Sequence, residues 1–119
     1  LRMLFLQYPP CSTCKKAKKW LDDHDVVYEA RDIKQDNPTQ EELRAWQARS
    51  GLPLKRFFNT SGQLYRSLQL KEKLPAMPEV EQLALLAGDG MLVKRPLAVG
   101  EDFVLAGFKE AEWEQTLLK

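Results

Sequence analysis

Residues 8–16 read YPPCSTCKK, and this stretch decides the fold because it joins two segments of different periodicity. Residues 2–8 read RMLFLQY, an apolar and aromatic run closed by two prolines, which predicts a buried strand. The residues that follow predict a helix over 15–25, with Ser12 and Thr13 as helix-start residues. Cys11 therefore falls at a strand-to-helix turn, and Cys14 falls one helical turn further along the chain.

Cys11 and Cys14 are the chain's only cysteines, and their spacing limits what they can do. A structural disulfide gains most by closing a long loop, whereas so short a ring gains only about 2 kcal/mol on the chain-entropy model. A structural zinc site requires four nitrogen or sulfur ligands, and the chain supplies two thiols and one histidine, His24. The pattern therefore favours a redox or nucleophilic thiol pair over two incidental buried thiols, and no metal is expected.

The two thiols are predicted to differ in acidity. A thiol at a helix N-terminus faces unpaired backbone N–H groups and the positive end of the helix dipole, and both favour the thiolate. Lysines in the first turns raise the local potential further, although each one alone is typical of a solvated helix face. Cys14 shares an apolar helix face with Ala17, Trp20 and Leu21, so it should be less accessible. We therefore predict that Cys11 is a nucleophile of lowered pKa and that Cys14 is the resolving thiol.

Composition indicates one ordinary globular domain of 119 residues. Eighteen Lys and Arg residues nearly balance seventeen Asp and Glu residues, so no basic face suited to direct nucleic-acid binding is indicated. The apolar runs are far shorter than the ~20 residues that span a bilayer, and no secretory signal pattern opens the sequence. A cytoplasmic protein with no membrane attachment is expected.

The rest of the chain alternates between strand and helix patterns. Residues 26–33 predict a second strand, parallel to the first because a helix separates the two. Thr39 and Glu42 predict a capping box that starts a helix reaching about Arg49. Residues 54–88 show helical pieces but no strand pattern, and residues 99–103 predict a hairpin turn. The closing stretch predicts a helix over 109–118, with Ala111, Trp113 and Leu117 available for burial.

This order of elements predicts an α/β protein with a small mixed sheet. It consists of a β-α-β unit, a helical insertion over about 35–90, a β-hairpin and a C-terminal helix, which is a thioredoxin-like fold in a single domain over 1–119. Core packing is the preferred interpretation of the three tryptophans and of the pair Phe57-Phe58.

Seven short motifs extend the thiol pattern across nearly the whole chain. They are Cys11 to Ala17, Tyr28 to Ile33, Asn37 to Thr39, Gly51 to Leu54, Phe57 to Gly62, Asp89 to Pro96 and Val104 to Phe108. In this order they resemble the arsenate reductase/Spx family of thioredoxin-like proteins, in its two-cysteine branch.

The resemblance implies a thiol pocket and assigns further residues to it. Pro96 is expected to follow a cis peptide bond beside the thiols, and Arg95 is expected near Cys11 as a partner for an anion or thiolate. Ser12 and Thr13 are expected to support the same pocket.

The chain differs from the glutathione-dependent arsenate reductases of this family at the residues that hold the oxyanion. Asn59 stands at a position where the resemblance implies an arginine in those enzymes. Their C-terminal arginine likewise has no counterpart at Gly107 or Phe108. Those enzymes also usually lack a second cysteine, which Cys14 supplies here. These differences weigh against specific arsenate reduction.

The function expected from these observations is thiol–disulfide redox chemistry, with Cys11 attacking, Cys14 resolving and Arg95 stabilising charge. One alternative is an Spx-like redox-sensing transcriptional regulator that binds the RNA polymerase α subunit. A further alternative is a glutathione- or glutaredoxin-linked arsenate reductase. No bound cofactor is expected. Glutathione, thioredoxin or glutaredoxin would serve as the external reductant, and the partner would be a small thiol or a redox protein.

Overall fold

The computed structural model describes residues 3–118, which form one four-stranded sheet with helices on both faces. In chain order the elements are β1 (Met3–Gln7), α1 (Ser12–Asp23), β2 (Tyr28–Asp32), α2 (Gln40–Ser50), α3 (Gln63–Ser67), α4 (Leu70–Lys73), α5 (Glu79–Gly88), β3 (Leu97–Val99), β4 (Val104–Ala106) and α6 (Glu110–Leu117). Short 3-10 turns lie at Leu54–Phe57, Leu74–Ala76 and Gly90–Leu92. Within residues 3–118, none of the helices has the length and apolar character that crossing a bilayer requires.

The strand order is β2-β1-β3-β4, and the sheet is mixed. β1 and β2 are parallel, whereas β3 is antiparallel to both β1 and β4. The hairpin between β3 and β4 closes where the Gly100 N–H donates to the Phe103 carbonyl at 2.9 Å. The predicted β-α-β unit, hairpin and thioredoxin-like fold class are therefore confirmed.

Alternation along the strands divides the core into two layers. Phe5 of β1 and Leu105 of β4 point to one face, where they pack with Ala17, Trp20 and Trp113 of α1 and α6. The neighbouring residues point to the opposite face and pack against the helices of residues 40–92; they are Leu6, Leu97, Val99, Val104 and Ala106. The sheet is thus covered on both sides, and the carboxyl end of β1 emerges between the two layers.

The helices of residues 40–92 are attached to the sheet through polar contacts. The Thr39 hydroxyl accepts from the Glu42 N–H at 3.1 Å and the Glu42 carboxylate accepts from the Thr39 N–H at 3.0 Å, so the predicted capping box is confirmed. Arg31 donates to both Glu42 oxygens at 2.8 and 2.9 Å, which joins β2 to α2. The Arg31 guanidinium lowers the pKa of Glu42 to about 2. The stabilising effect of the Arg31–Glu42 pair is therefore present above the ordinary carboxyl pKa and is lost as the pH falls towards 2.

The 3-10 turn at Leu54–Phe57 is held directly to the segment that precedes β3. Phe58 and Val93 form an antiparallel bridge. The Asn59 N–H donates to the Leu92 carbonyl at 2.7 Å, and the Lys94 N–H donates to the Phe57 carbonyl at 2.8 Å. These bonds form a backbone clamp between residues 57–59 and 92–94.

Several element boundaries differ from prediction. The sequence predicts the first strand over 2–8; Arg2 lies outside the described residues, and the strand ends at Gln7. α1 begins at Ser12, not at 15, because Cys11 is its N-cap. β2 begins at Tyr28 because the chain first turns through Asp25, which has φ +55°. In α6, Trp113 is buried and Leu117 half-buried, whereas Ala111 is exposed because it lies on the solvent side of the helix.

Candidate functional site

Cys11 is held between the end of β1 and the start of α1. After β1 the chain turns at Tyr8, whose carbonyl accepts from the Cys11 N–H at 2.9 Å. Cys11 has extended backbone angles (φ −73°, ψ 126°), and its carbonyl accepts from the Lys15 N–H at 3.0 Å, the first bond of the helix. Its half-buried thiol thus lies at the N-terminus of a 12-residue helix, where backbone N–H groups have no helical partner.

These surroundings make the Cys11 thiol acidic. Partial burial on its own would raise the pKa, but several donors outweigh it and the pKa of Cys11 is lowered. The donors are the Cys14 backbone N–H and thiol, the Thr13 backbone N–H and the Arg95 guanidinium. The thiolate is the nucleophilic form of cysteine, so the lowered pKa favours attack by Cys11 near neutral pH.

Cys14 has the opposite environment one turn into α1. It is fully buried, and its sulfur accepts from the Tyr8 N–H at 3.4 Å. Burial, together with the neighbouring Cys11 sulfur, raises the pKa of Cys14 to about 12. The pair therefore consists of an accessible thiol that ionises more readily than an ordinary cysteine and a buried thiol that ionises less readily.

Limited alkylation should distinguish the two thiols. With substoichiometric iodoacetamide near neutral pH, we expect the native protein to be labelled at Cys11, with at least tenfold less label at Cys14, because Cys11 is accessible and acidic. Peptide mass mapping after acid quench measures the ratio. Denatured protein labelled at both positions is the control, and preferential labelling of Cys14 in the native protein would contradict the assignment.

Arg95 lies beside both thiols at the start of the β3 hairpin. The Arg95–Pro96 peptide bond is cis. The guanidinium carbon lies 5.2 Å from the centre of the Tyr8 ring, and Nη1 donates to the Met91 carbonyl at 3.3 Å. Within residues 3–118, Nε is buried with no acceptor. The guanidinium also donates to the Cys11 sulfur, and this contact helps to lower the pKa of Cys11.

Replacing Arg95 should therefore make Cys11 less acidic. In Arg95→Ala we expect the pH midpoint of Cys11 alkylation to rise and the rate near neutral pH to fall about tenfold, since a charge-assisted partner of the thiolate is lost. Arg44→Ala, an exposed arginine of α2, is the matched control. An unchanged pH profile in an Arg95→Ala protein that melts normally would show that Arg95 does not stabilise the Cys11 thiolate.

Cys11 opens into a cavity of about 400 Å³. Its walls come from the start of α1, the loop after the Leu54–Phe57 turn, the approach to β3 and the loop after β4. The lining residues are Cys11, Thr13, Arg56, Asn59, Ser61, Gly62, Lys94, Arg95, Gly107, Phe108 and Lys109. The structure therefore brings Cys11, Thr13 and Arg95 together.

Other residues singled out from the sequence lie outside the cavity lining. Ser12 is exposed on α1 and Cys14 is buried behind Cys11. Pro96 is buried, and its carbonyl accepts from the Gly107 N–H at 2.9 Å, which fixes one wall. Among the described residues, no group of three or more His, Cys, Asp or Glu side chains is placed to hold a metal ion.

Sequence reasoning missed three basic lining residues, Arg56, Lys94 and Lys109. Arg56 and Lys109 lie next to the motifs that begin at Phe57 and end at Phe108, and Lys94 lies within the motif from Asp89 to Pro96. This proximity to the motifs is the only sequence signal for them.

Comparison with known proteins gives consistent results. Residues 6–116 match the sequence profile of the ArsC family. An ArsC-family-related protein from Bacteroides fragilis has a solved structure that is 62% identical, with a TM-score of 0.94 and 97% of each chain covered. The uncharacterized protein YusI of Bacillus subtilis is 52% identical over 115 residues, which cover 97% of this chain and 98% of YusI.

A more distant curated relative is named as a regulator. The global transcriptional regulator Spx of Staphylococcus saprophyticus is 26% identical over 104 residues, which cover 87% of this chain and 78% of Spx.

Proposed function

The chain belongs to the ArsC family, and we propose that within it the protein is a thiol–disulfide oxidoreductase. The observation that carries this proposal is the inequality of the two thiols. Cys11 is accessible in a cavity and its pKa is lowered, whereas Cys14 is fully buried one turn away and its pKa is raised to about 12. If both were incidental core thiols, one of them would not be expected to lie at a helix N-terminus, beside an arginine and in the lining of a cavity.

In the first step the Cys11 thiolate attacks a disulfide in the cavity. A bond forms between the Cys11 sulfur and one substrate sulfur, the substrate S–S bond breaks, and the other half leaves as a thiolate. Arg95 and the backbone N–H groups at the start of α1 stabilise the negative charge before it moves from Cys11 to the leaving sulfur.

In the second step Cys14 attacks the sulfur of Cys11. The negative charge of Cys11 contributes to the raised pKa of Cys14, and that charge disappears when the mixed disulfide forms. Cys14 then releases its proton more readily, bonds to Cys11 and expels the second substrate thiolate. Two electrons and two protons pass from the protein dithiol to the substrate. Two molecules of an external thiol such as glutathione, or one dithiol of the thioredoxin or glutaredoxin class, then reduce the protein disulfide and are themselves oxidised to a disulfide.

The cavity lining supports general thiol exchange better than specific arsenate reduction. The family resemblance implies one arginine at position 59 and another near positions 107–108. The cavity is lined there by Asn59, Gly107 and Phe108. Of the expected oxyanion residues, Arg95 alone is present there. We therefore rank arsenate reduction below disulfide exchange.

The similarity to Spx favours a regulator as the second candidate. The same pair would then act as a redox switch, and the RNA polymerase α subunit would be the partner. A pull-down with the C-terminal domain of that subunit, using reduced and oxidised protein, separates the candidates: redox-dependent capture supports the regulator, and its absence supports the enzyme.

The main test is the stoichiometry of exchange with a neutral disulfide. Reduced protein mixed with excess bis(2-hydroxyethyl) disulfide should release two equivalents of 2-mercaptoethanol and form an intramolecular Cys11–Cys14 disulfide. Thiol release and intact mass are measured together, and a redox titration of the pair then gives its equilibrium constant. Release of one equivalent with a persistent adduct, or no release, would refute the proposal.

A further inference from the structure

The proposed exchange leaves open which disulfides the cavity accepts, and the charge of its walls bears on that choice. Resting on that proposed function, we infer that the preferred substrates are small disulfides whose two halves carry carboxylates. A volume of about 400 Å³ is within the range of small-molecule sites, so the inference concerns small acidic disulfides.

The lining is cationic although the chain as a whole is almost neutral. Four of the lining residues are Lys or Arg and none is Asp or Glu, whereas the complete sequence has 18 basic and 17 acidic residues. The four are Arg56, Lys94, Arg95 and Lys109. A concave surface lined by charges of one sign concentrates counter-ions, so this cleft attracts anions.

Lys94 is positioned by backbone on two sides. Its N–H donates to the Phe57 carbonyl in the backbone clamp. Its side chain crosses Gly107, where an added Cβ would lie 2.9 Å from the lysine Cε. Gly107, at φ +77°, is fixed by the bond from its N–H to the Pro96 carbonyl and by the Trp113 Nε1–H, which donates to its carbonyl at 3.1 Å. The glycine leaves space for the lysine stem on a rigid wall.

The cations of the cleft are not neutralised by the protein's own carboxylates. Within residues 3–118, no carboxylate oxygen lies within 4.0 Å of the charged nitrogens of Arg56, Lys94 or Arg95. Lys109 contacts Glu112 only at 3.9 Å, with both side chains exposed, a weak pairing in water. The positive charge therefore remains available to a ligand.

This charge offsets an intrinsic disadvantage of acidic disulfides. A thiolate repels a disulfide that carries carboxylates, so acidic disulfides react more slowly with free thiolates than neutral ones do. Cys11 and the four cations line the same cavity, so we expect the carboxylates to contact Lys94 or Arg56 while the S–S bond lies at Cys11. The protein should therefore reverse the order of reactivity. Each turnover converts one acidic disulfide to two acidic thiols and the protein dithiol to its disulfide.

Three disulfides of matched length test the inference. We would measure rate constants for reduced protein with 3,3′-dithiodipropionate, bis(2-hydroxyethyl) disulfide and cystamine, which carry net charges of about −2, 0 and +2 near neutral pH. Each rate is divided by that of 2-mercaptoethanol with the same disulfide, which removes intrinsic reactivity. At low ionic strength the normalised rate should be about tenfold higher for the acidic than for the neutral probe. At 1 M salt, where the screening length is about 3 Å, the ratio should approach one.

Variants assign the preference to residues. In Lys94→Gln and in Arg56→Gln we expect the acidic-to-neutral ratio to fall at least threefold each, and in the double variant to approach one. Lys71→Gln, an exposed lysine of α4, is the matched control and should keep the parent ratio. Thermal melting of each variant verifies that it is folded.

The possible outcomes separate this inference from the function on which it rests. Equal normalised rates for the three probes, with two thiols still released per protein, would overturn the inference and leave disulfide exchange intact. A preference that persists in the double variant would also overturn it. Failure of all three probes to oxidise the pair would refute both proposals.

Discussion

Cys14→Ser protein treated with a neutral disulfide is expected to accumulate a near-stoichiometric mixed disulfide on Cys11, whereas the parent should retain only a small fraction. The two positions are three residues apart at the start of α1, where Cα atoms lie within the distance of about 7 Å that a disulfide requires. The parent therefore resolves the adduct, but serine in place of Cys14 has no thiol to do so. Intact mass spectrometry after acid quench, followed by peptide mapping, quantifies the adduct.

Cys11→Ser is the matched control for this trapping experiment. Its remaining thiol is fully buried and its pKa is raised, so no adduct should form while the protein is folded. The assignment of Cys14 as resolving thiol would be wrong if the parent accumulated the same adduct to the same extent as Cys14→Ser. Oxidation of the parent should leave the fold intact, because so short a ring changes stability by only a few kcal/mol.

Gly90→Ala is expected to have the largest effect on stability, a loss of about 2–4 kcal/mol in the free energy of unfolding. A Cβ at this position would lie 2.0 Å from the Ile33 carbonyl oxygen and 2.8 Å from its carbon. Both are backbone atoms, and Ile33 is itself held by the bond from its N–H to the Gln7 carbonyl at 2.9 Å. The clash therefore requires movement of the segment after β2 or of the turn at Gly90–Leu92. Urea unfolding monitored by tryptophan fluorescence measures the loss.

Gly88→Ala is a control two residues away. Apart from its chain neighbours and its own helix backbone, no heavy atom of residues 3–118 lies within 4 Å of an added Cβ at Gly88, the last residue of α5. Alanine there should therefore be neutral or stabilise the protein by up to about 1 kcal/mol. Gly90→Ala unfolding within 1 kcal/mol of the parent would show that the close approach to Ile33 is easily relieved.

Much of the fold was predictable because local patterns and tertiary packing agree. The capping box at Thr39 and the turn at Gly100 each require only residues close in sequence, and both occur as predicted. The start of α1 was misplaced because the structure uses Cys11 as N-cap, although cysteine is not a favoured capping residue. Immediately before the hairpin turn only Leu97–Val99 form a strand, because residues 92–94 enter the clamp.

The site was predictable only in part, for a similar reason. The spacing of Cys11 and Cys14 was informative by itself, and Arg95 could be proposed only through resemblance to a family. Lys94 and Arg56 lie 38 residues apart in the sequence, and they reach one cavity because the backbone clamp aligns their segments. Because these two residues are distant in the sequence and follow no periodic pattern, neither composition nor spacing predicts that they line the same cavity.

The backbone clamp has a consequence for how this architecture tolerates changes in length. Residues 57–59 and 92–94 are joined by direct hydrogen bonds, so the chain leaves the cavity wall and returns to it at neighbouring points. Lengthening a loop whose two ends are held together adds little entropy cost, about 0.6 kcal/mol per doubling of its length. Insertions or deletions in exposed turns between Thr60 and Met91 would thus leave the separation of Cys11 from Arg95 unchanged. We therefore expect short segments inserted into these exposed turns to leave the spacing of the reactive groups unchanged.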